Sequence, residues 1–312
     1  MFHDSSQRTR WIFSDSSQIQ ELRRSTNREW CAKHKKESLG ELLTWEEEEM
    51  LCAHYLHKLL EFCNLFQPPI PRAALGTAVA YFKRFYLHTS VMEYHPKDIF
   101  LCCAYLSFKV EEYNVNVDQF VHVLKSDLRT RIAEMILSYE LMVMQRLKFH
   151  LTIHSPFRPL EGFIIDMKTR CPHLANPEVF RQKADDFLLH SCNSDVSLLF
   201  PPSQIALAAV RHAAKSVKLK VDEYLFILLD SDKTAADDVL ATLERVENLV
   251  LAVSSPDVSK VGFVESKLER LQHSTVNTGG TKRKQRLHPQ DDEPRSKRRS
   301  GEDIVPAGLN KL

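Results

Sequence analysis

Two charged residues stand where the surrounding pattern calls for an apolar side chain. Lys109, in the stretch "LSFKVEEY" (106–113), lies at the margin of the apolar stripe of a predicted helix, and Glu140 is the only charge between Glu134 and Arg146. A desolvated ammonium or carboxylate costs free energy unless it is paired or hydrogen-bonded. Each charge can turn to water, the two can pair as an internal bridge, or they can flank a groove that binds a partner's exposed backbone. Their spacing leaves these three interpretations open.

The other residues that could perform chemistry are dispersed. The sequence contains no H-E-x-x-H, G-x-S-x-G or H-x-E…C-x-x-C motif and no glycine-rich phosphate loop. The seven cysteines form no C-x-x-C pair, whereas structural zinc sites need clustered ligands and disulfides need an oxidising compartment. We therefore expect free thiols, no metal, no cofactor and no catalytic residue.

The composition favours a helical protein. Only eight glycines interrupt 312 residues, of which 43% are hydrophobic, so many tight-turned strands are not expected. No apolar run reaches about 18 residues, the length that spans a membrane. The first residues lack the apolar core of a signal peptide. We expect a soluble intracellular protein without a membrane partner.

The net charge of +1 conceals an uneven distribution. Residues 281–312 hold nine Lys or Arg and five Asp or Glu. Since the whole chain has 42 basic and 41 acidic residues, residues 1–280 hold 33 basic and 36 acidic ones. Nucleic acid is bound by clustered positive charge. The slightly acidic body therefore argues against a direct nucleic-acid partner.

Prolines and capping residues divide the chain into helical segments. Thr44, followed by four glutamates, is a helix start, and "QPPIP" (67–71) and "HSPFRP" (154–159) end helical patterns. The N-terminal hydrophobic residues are expected to pack internally, and a surface for a partner protein is the alternative: Trp11, Ile12, Phe13, Leu22 and Trp30. We predict helices at about 15–36, 44–66, 72–88, 96–111, 117–125, 128–148, 157–170, 176–193, 201–216, 220–229, 233–252 and 260–273.

The segment 128–148 is apolar nearly all round. Its central stretch "EMILSYELMVMQRLKF" shows no polar face. Such a helix is typically enclosed by other helices. We therefore expect this helix, with Glu140 inside it, to be almost entirely buried.

The two halves of the chain echo each other. Pro96-x-x-Ile99-x-Leu101 matches Pro202-x-x-Ile205-x-Leu207 at an offset of 106, which places Lys109 on Lys215. Two matches in order indicate a duplicated unit. Val217 and Lys218 stand where acids follow Lys109, so we expect the lysine–acid feature in the first half only.

Three stretches in order resemble the first box of the cyclin family: "GTAVAYFKRFY" (76–86), "LSFKVEEY" and "SYELMVMQRLKFHL" (138–151). The resemblance implies an all-α fold of two tandem five-helix cyclin boxes, with additional N- and C-terminal helices and a disordered basic tail. The corresponding division is 1–43 for the N-terminal segment and helix, 44–152 for the first box, 153–253 for the second box, 254–275 for the C-terminal helix and 276–312 for the tail.

The resemblance also implies a function. Cyclins bind a cyclin-dependent kinase and order its αC helix, and a lysine and a glutamate of the first box hydrogen-bond the backbone of that helix and its preceding loop. By motif these residues are Lys109 and Glu140. The apolar contacts to the same helix would be Val110, Met144, Phe149 and Leu151. The chain would be a non-catalytic activator, because the catalytic residues belong to the kinase.

Three further stretches, "SSQRTRWIF" (5–13), "SVMEYHP" (90–96) and "PFRPLEGFIIDMKTRCP" (156–172), resemble the cyclins of the kinase that activates other cyclin-dependent kinases. This narrower resemblance implies cyclin-dependent kinase 7 as the partner, together with a RING-finger assembly factor and the general transcription factor H complex. It implies a role in the cell cycle and in phosphorylation of RNA polymerase II, and a nuclear location.

The basic clusters "KRKQR" (282–286) and "RSKRR" (295–299) resemble a bipartite nuclear-import signal. A solvated run of charge and a nucleic-acid-binding arm are the alternatives. The residues that would form the signal are Lys282, Arg283, Lys284, Arg286, Lys297, Arg298 and Arg299.

Two rival functions use the same fold. General transcription factor B has two boxes that bind DNA and a TATA-binding protein, but it needs basic faces and usually a zinc ribbon. The acidic body and the missing cysteine quartet disfavour it. The second rival is a structural adaptor whose cyclin groove stays unused, and activation of a kinase by the purified protein would exclude it.

Overall fold

The computed structural model describes residues 2–34, 42–124, 127–171, 176–216, 224, 227–228, 233–254 and 256–278, and within these ranges the regular structure is helical. The α-helices are α1 (Ser6–Trp11), α2 (Ser16–His34), α3 (Trp45–Cys63), α4 (Arg72–Phe85), α5 (Pro96–Val110), α6 (Val117–His122), α7 (Arg129–Arg146), α8 (Phe157–Arg170), α9 (Arg181–Ser191), α10 (Val196–Leu199), α11 (Pro202–Ser216), α12 (Lys233–Leu251) and α13 (Val258–Thr278). Short 3-10 helices lie at Phe2–Asp4 and Pro177–Phe180.

The first box is built around α5. This helix packs against α3, α4 and α7, and α6 packs against α7. From Ile99 to Phe108 every residue of α5 is buried, because other helices cover it on all sides. Lys109 and Val110, at its C-terminal end, emerge from the core. The ends of α5 and α7 therefore reach the surface together.

The second box repeats this plan around α11, which packs against α8, α9 and α12. Both α5 and α11 have 15 residues and begin at a proline, Pro96 and Pro202, so the predicted offset of 106 is confirmed at both ends of the helix. Most of the predicted helix at 220–229 lies outside the described residues. Tyr224, which is described, is helical and buried.

The predicted start signals act as capping groups. The hydroxyl of Thr44 accepts a hydrogen bond from the Glu47 backbone N–H, and the Glu47 carboxylate accepts one from the Thr44 N–H, which is a capping box. His95 caps α5 by accepting from the Lys97 backbone N–H with its Nδ1 atom at 3.0 Å. Burial lowers the pKa of His95 to about 4, so the ring is neutral at physiological pH and can accept that bond.

The helices outside the boxes bind to both of them. Arg23 of α2 contacts Glu49 of the first box and forms a two-pronged ion pair with Asp195 beside the second box, with Nη1–Oδ2 at 2.7 Å and Nη2–Oδ1 at 2.9 Å. Lys267 of α13 contacts Glu47 at 2.9 Å. These contacts tie the additional helices to the body of the molecule, as predicted for internal packing.

The expectation that 128–148 is enclosed by other helices is wrong. Of α7, the residues Ala133, Ile136 and Val143 are buried. Leu137 is 51% exposed and Leu141 is 55% exposed. A helix that is apolar all round can have one face in the core and another face free for a partner, and its sequence pattern does not distinguish the two.

All seven cysteines are free thiols, five of them buried, as expected. In the described part of the chain no helix is both long and apolar enough to cross a membrane. The same part holds no cluster of three or more His, Cys, Asp or Glu side chains arranged around a metal. The predicted import signal and the tail lie outside the described residues.

Candidate functional site

Lys109 and Glu140 form an ion pair at the molecular surface. The Lys109 ammonium donates to the Glu140 carboxylate, and it also lies 5.7 Å from the centre of the Tyr105 ring. The lysine side chain is 48% exposed and the glutamate side chain 16%. Of the three interpretations, direct pairing is therefore realised, but between α5 and α7 at the surface and not deep in the core. The pair remains accessible to a partner.

An apolar strip on α7 lies beside this pair. Leu137, Leu141 and Met144 are spaced four and three residues apart, which places them on one face of the helix with Glu140 at its edge. The two leucines are more than half exposed, and Met144 is half-buried. Contiguous exposed apolar surface of this kind marks interaction sites.

The turn after α7 projects an aromatic ring into solvent. Lys148 and Phe149 both have left-handed backbone conformations, with φ of 54° and 57°. For residues with a side chain this costs about 1 kcal/mol or more each. The Phe149 N–H donates to the Met144 carbonyl at 2.9 Å, which holds the turn against the end of the helix. The Phe149 side chain is 59% exposed and extends the apolar strip.

The segment beyond this turn is fixed to the core. The Leu151 N–H donates to the Phe149 carbonyl at 3.0 Å, and the Tyr81 hydroxyl donates to the Leu151 carbonyl at 2.5 Å. Tyr81 is itself fully buried on α4. Leu151 is half-buried as a result, with its backbone anchored and part of its side chain accessible.

Helix α1 braces the same segment from behind. Trp11, 2% exposed, donates from Nε1 to His150 Nδ1 at 3.0 Å. Gln7 and His154 exchange two hydrogen bonds, at 2.7 Å and 3.2 Å. The guanidinium of buried Arg84 lies 4.9 Å from the centre of the Trp11 ring, and burial lowers its pKa to about 9. The N-terminal aromatic residue therefore acts in packing, as expected, and supports the turn that carries Phe149.

Of the six residues predicted from the resemblance, Lys109 and Val110 end α5, Glu140 and Met144 lie in the C-terminal part of α7, and Phe149 and Leu151 lie in the segment after it. We call the surface formed by them, together with Leu137 and Leu141, the first-box surface: Lys109, Val110, Leu137, Glu140, Leu141, Met144, Phe149 and Leu151. The two leucines were missed because they belong to a run interpreted as buried. Their i, i+4 spacing on the side of Glu140 was a signal that could have found them.

The first-box surface is suited to binding a helix end or an extended backbone. The Lys109 ammonium has three N–H donors and the Glu140 carboxylate has several lone pairs, so the pair can bond to a partner's carbonyl and N–H groups. The apolar strip supplies contact area beside it. Because the pair is electrically neutral overall, it favours backbone dipoles over a charged ligand.

The second box also contains a lysine–glutamate pair, although no acids follow Lys215 in the sequence. Lys215 Nζ of α11 lies 2.7 Å from Glu247 Oε2 of α12, and Arg211 Nη1 lies 3.0 Å from Glu247 Oε1. The acid is supplied by α12 rather than by the residues after Lys215. Glu247 was not predicted as the partner of Lys215, because it lies 32 residues further along the chain and no local motif links the two.

Comparison with known proteins agrees with this duplicated architecture. The family model described as the cyclin N-terminal domain matches residues 19–152, and the one described as the cyclin C-terminal domain matches residues 155–251. Cyclin-H of Xenopus laevis is 40% identical over 296 residues, which cover 91% of each chain. Cyclin-H1-1 of Arabidopsis thaliana is 32% identical, over 77% of this chain and 72% of its own.

Two solved structures are similar over most of the chain. One is from the CAK complex of Chaetomium thermophilum bound to ATP-gamma-S, with a TM-score of 0.76 and 24% identity over 94% of this chain and 98% of the other. The other is from the cryo-EM structure of the yeast TFIIK (Kin28/Ccl1/Tfb3) complex, with a TM-score of 0.65 and 25% identity over 80% and 99%. With two matching box domains and a cyclin-H relative aligned over 91% of its length, the chain belongs to the cyclin family.

Proposed function

We propose that this cyclin is the regulatory subunit of a CDK-activating kinase and that it binds the kinase αC helix through the first-box surface. The cyclin-H relatives and the likeness to the yeast TFIIK (Kin28/Ccl1/Tfb3) complex support this assignment. Cyclin-dependent kinase 7 is the proposed kinase. The rival of a two-box transcription factor of the B type is not favoured, because the relatives are cyclins.

The observation that carries the proposal is the exposed face of α7. Leu137, Leu141 and Phe149 are each more than half exposed, next to an accessible ion pair of opposite charges. In the complex, a helix laid on this strip would cover the apolar side chains. Its terminal backbone groups would then reach Lys109 and Glu140, which are already oriented by their mutual contact.

Activation follows from where the kinase helix is held. A cyclin that binds the inward position of αC more tightly than the outward one shifts the kinase population toward it. The inward position places the αC glutamate against the ATP-binding lysine, an ion pair that phosphoryl transfer requires. The cyclin supplies no catalytic residue in this scheme, and the kinase performs the reaction.

The finer assignments extend the same proposal. A RING-finger assembly factor and the general transcription factor H complex are the proposed further partners, in keeping with the TFIIK likeness. A role in both cell-cycle kinase activation and polymerase phosphorylation implies a nuclear location. The clusters at 282–286 and 295–299 are proposed as the import signal.

The test is to remove each member of the ion pair. Lys109→Ala and Glu140→Ala are each expected to weaken binding to cyclin-dependent kinase 7 by about 2 kcal/mol or more, because each leaves a charge unpaired under the bound kinase. Affinity is measured by calorimetry, and activation by phosphorylation of a peptide substrate. Circular dichroism checks that the helices persist.

Lys215→Ala is the matched control, since it removes the corresponding lysine of the second box. It is expected to leave kinase affinity and activation unchanged. Full affinity and full activation in both first-box variants, with intact helices, would refute the proposed site. Equal losses in the control and in the first-box variants would point to a general loss of stability instead.

A further inference from the structure

Two histidine rings lie against the buried indole of Trp11. The ring centroid of His88 is 6.2 Å from that of Trp11, and the ring centroid of His150 is 6.1 Å from it. The indole N–H donates to His150 Nδ1 at 3.0 Å, and an indole nitrogen is a donor only. The neutral His150 ring therefore carries its own proton on Nε2, where it can donate to a further acceptor.

A buried cation lies over the same indole. The guanidinium of Arg84 is 4.9 Å from the centre of the Trp11 ring, and the residue is 2% exposed. Its Nε–H has no hydrogen-bond acceptor among the described residues, and its Nη1 reaches the His150 carbonyl only at 3.4 Å. Burial lowers the pKa of Arg84 to about 9, so the side chain is still charged at physiological pH. A buried charge of this kind costs free energy unless an opposite charge lies near it.

Two further cations lie around the histidine rings. Burial, and then the charges of Arg84, Lys148 and Arg10, lower the pKa of His150. Burial and the charge of Lys148 lower the pKa of His88. Arg10, Lys148 and His88 are exposed, and His150 is half-buried. Within the described part of the chain, arginine and lysine thus supply the charges that act on the two rings.

The carboxylates nearest to these residues in the sequence do not neutralise them. Each already accepts from another group: Asp15 from Gln18, Glu93 from Arg146, and Glu140 from Lys109. Asp4 lies before α1, at the end of that helix opposite to Arg10. The cluster at Trp11 therefore keeps the positive charges of Arg10, Arg84 and Lys148 without a matching acid.

We propose that Arg10, His88, Lys148 and His150, supported by the buried charge of Arg84, form a binding site for a phosphate monoester. Such a group brings about two negative charges and three acceptor oxygens. It therefore matches several cations and ring N–H donors better than the single charge of a carboxylate does. The group is either free phosphate or the side chain of a phosphorylated serine or threonine. The site shares no residue with the first-box surface.

Calorimetric titration of the full chain at constant ionic strength tests this site with two probes, inorganic phosphate and a blocked glycine peptide with one central phosphoserine. Saturable binding is expected. Tighter binding of the peptide would identify a phosphorylated side chain as the source, and equal or tighter binding of inorganic phosphate would identify free phosphate. The chain has three tryptophans, so nitrogen-15 NMR should show one shifted indole N–H signal, and Trp11→Phe should lack that signal.

Arg10→Ala and Lys148→Asn are each expected to weaken binding of the probe by about fivefold, since each removes one exposed cation from an ion pair. Asparagine is chosen at position 148 because it tolerates the left-handed backbone of that turn, where φ is 54°. Lys183→Asn, at an exposed lysine of α9, and Arg8→Ala, at an exposed arginine of α1, are the matched controls. Both controls should bind the probe like the wild type.

Four outcomes would overturn the proposal. They are no saturable binding of either probe, equal weakening in the controls, a shifted indole signal that persists in Trp11→Phe, and unchanged affinity in both Arg10→Ala and Lys148→Asn. Tighter binding of a DNA duplex than of either probe, with the same losses in the two variants, would also overturn it by assigning the site to a phosphodiester backbone. Because no kinase is present in these measurements, their failure would leave the proposed kinase site untouched.

Discussion

The two boxes share a frame and differ in what they present to the outside. Their central helices have the same length and begin at corresponding prolines, and α7 and α12 share an inward register in which Ile136 and Val143 correspond to Leu243 and Val250. On the outward side, corresponding positions of the two helices carry different kinds of side chain. Leu137 and Leu141 of α7 correspond to Glu244 and Asn248 of α12, and all four are exposed.

This difference shows that the inward faces of the two helices share one apolar pattern, whereas their outward faces are free to differ in chemistry. The apolar outward face occurs on the helix that carries the proposed kinase site. On α12 the same positions are polar, and the glutamate is held by two cations. The duplicated fold thus keeps one packing arrangement while the two copies present chemically different surfaces.

The largest effect is expected from giving the first box the outward residues of the second. The double substitution Leu137→Glu and Leu141→Asn removes two apolar contacts of about 1.5–3 kcal/mol each and adds a charge, so kinase affinity should fall by about 3 kcal/mol or more. Affinity is measured by surface plasmon resonance with immobilised kinase. Glu244→Gln with Asn248→Ala is the matched change in the second box and should bind normally. A double variant that binds like the wild type would show that the outward face of α7 is not the docking surface.

The next effect concerns how each box stabilises a buried carboxylate. Glu247 has two cationic partners, whereas Glu48 of α3 accepts from the neutral groups of Ser90 and Asn27, and burial raises its pKa to about 7. The folded state therefore holds the Glu48 proton more tightly than the unfolded chain does, so this stabilisation is complete at low pH and is lost as the pH rises through 7.

Glu48→Gln should consequently become more stable relative to the wild type between pH 5 and pH 8, by at most about 3 kcal/mol. Urea unfolding of both proteins at a series of pH values measures the difference. Glu46→Gln, which makes the same change at an exposed residue in the first turn of the same helix, is the matched control for the substitution itself. A pH-independent difference for Glu48→Gln would contradict the raised pKa.

The smallest effect should separate the two ion pairs by their role in stability. Glu247→Gln leaves Arg211 and Lys215 without a counter-charge and should lower the free energy of unfolding by about 1.5 kcal/mol. Glu140→Gln disrupts a pair with an exposed lysine and should cost less than about 1 kcal/mol. Thermal unfolding of both variants gives the comparison. If Glu140→Gln lowered the free energy of unfolding more than Glu247→Gln, the first-box pair and not the second-box pair would be the one that stabilises the fold.

Local signals in the sequence predicted the helical frame well. Thr44 acts as a cap where it was expected, and the prolines at 96 and 202 begin helices of equal length. These features depend on residues within about one turn of each other, so they can be derived without knowledge of the tertiary structure. Of the six residues proposed from the resemblance, the structure pairs Lys109 with Glu140, and the role of all six in kinase binding stays a prediction.

Other features depended on distant contacts and were missed. The exposure of α7 was not predictable from its apolar pattern, because a partner and a core both select apolar residues. The partner of Lys215 was missed because Glu247 stands in an ordinary polar stretch of α12. Adding the offset of 106 to Glu140 gives position 246, next to Glu247, so the repeat itself held a signal for this residue.

Trp11 and Gln7 of α1, with Arg84 packed on Trp11, connect the N-terminal helix to the segment that carries the proposed kinase-binding residues Phe149 and Leu151. The side chains of Trp11 and Gln7 are hydrogen-bonded to His150 and His154, in the same non-helical segment as Phe149 and Leu151. Detaching this helix by proteolysis, or crowding it with a bulky modification, would free the aromatic ring from its strained turn. Affinity for the kinase could then be tuned from the rear of the molecule, without altering any side chain that touches it.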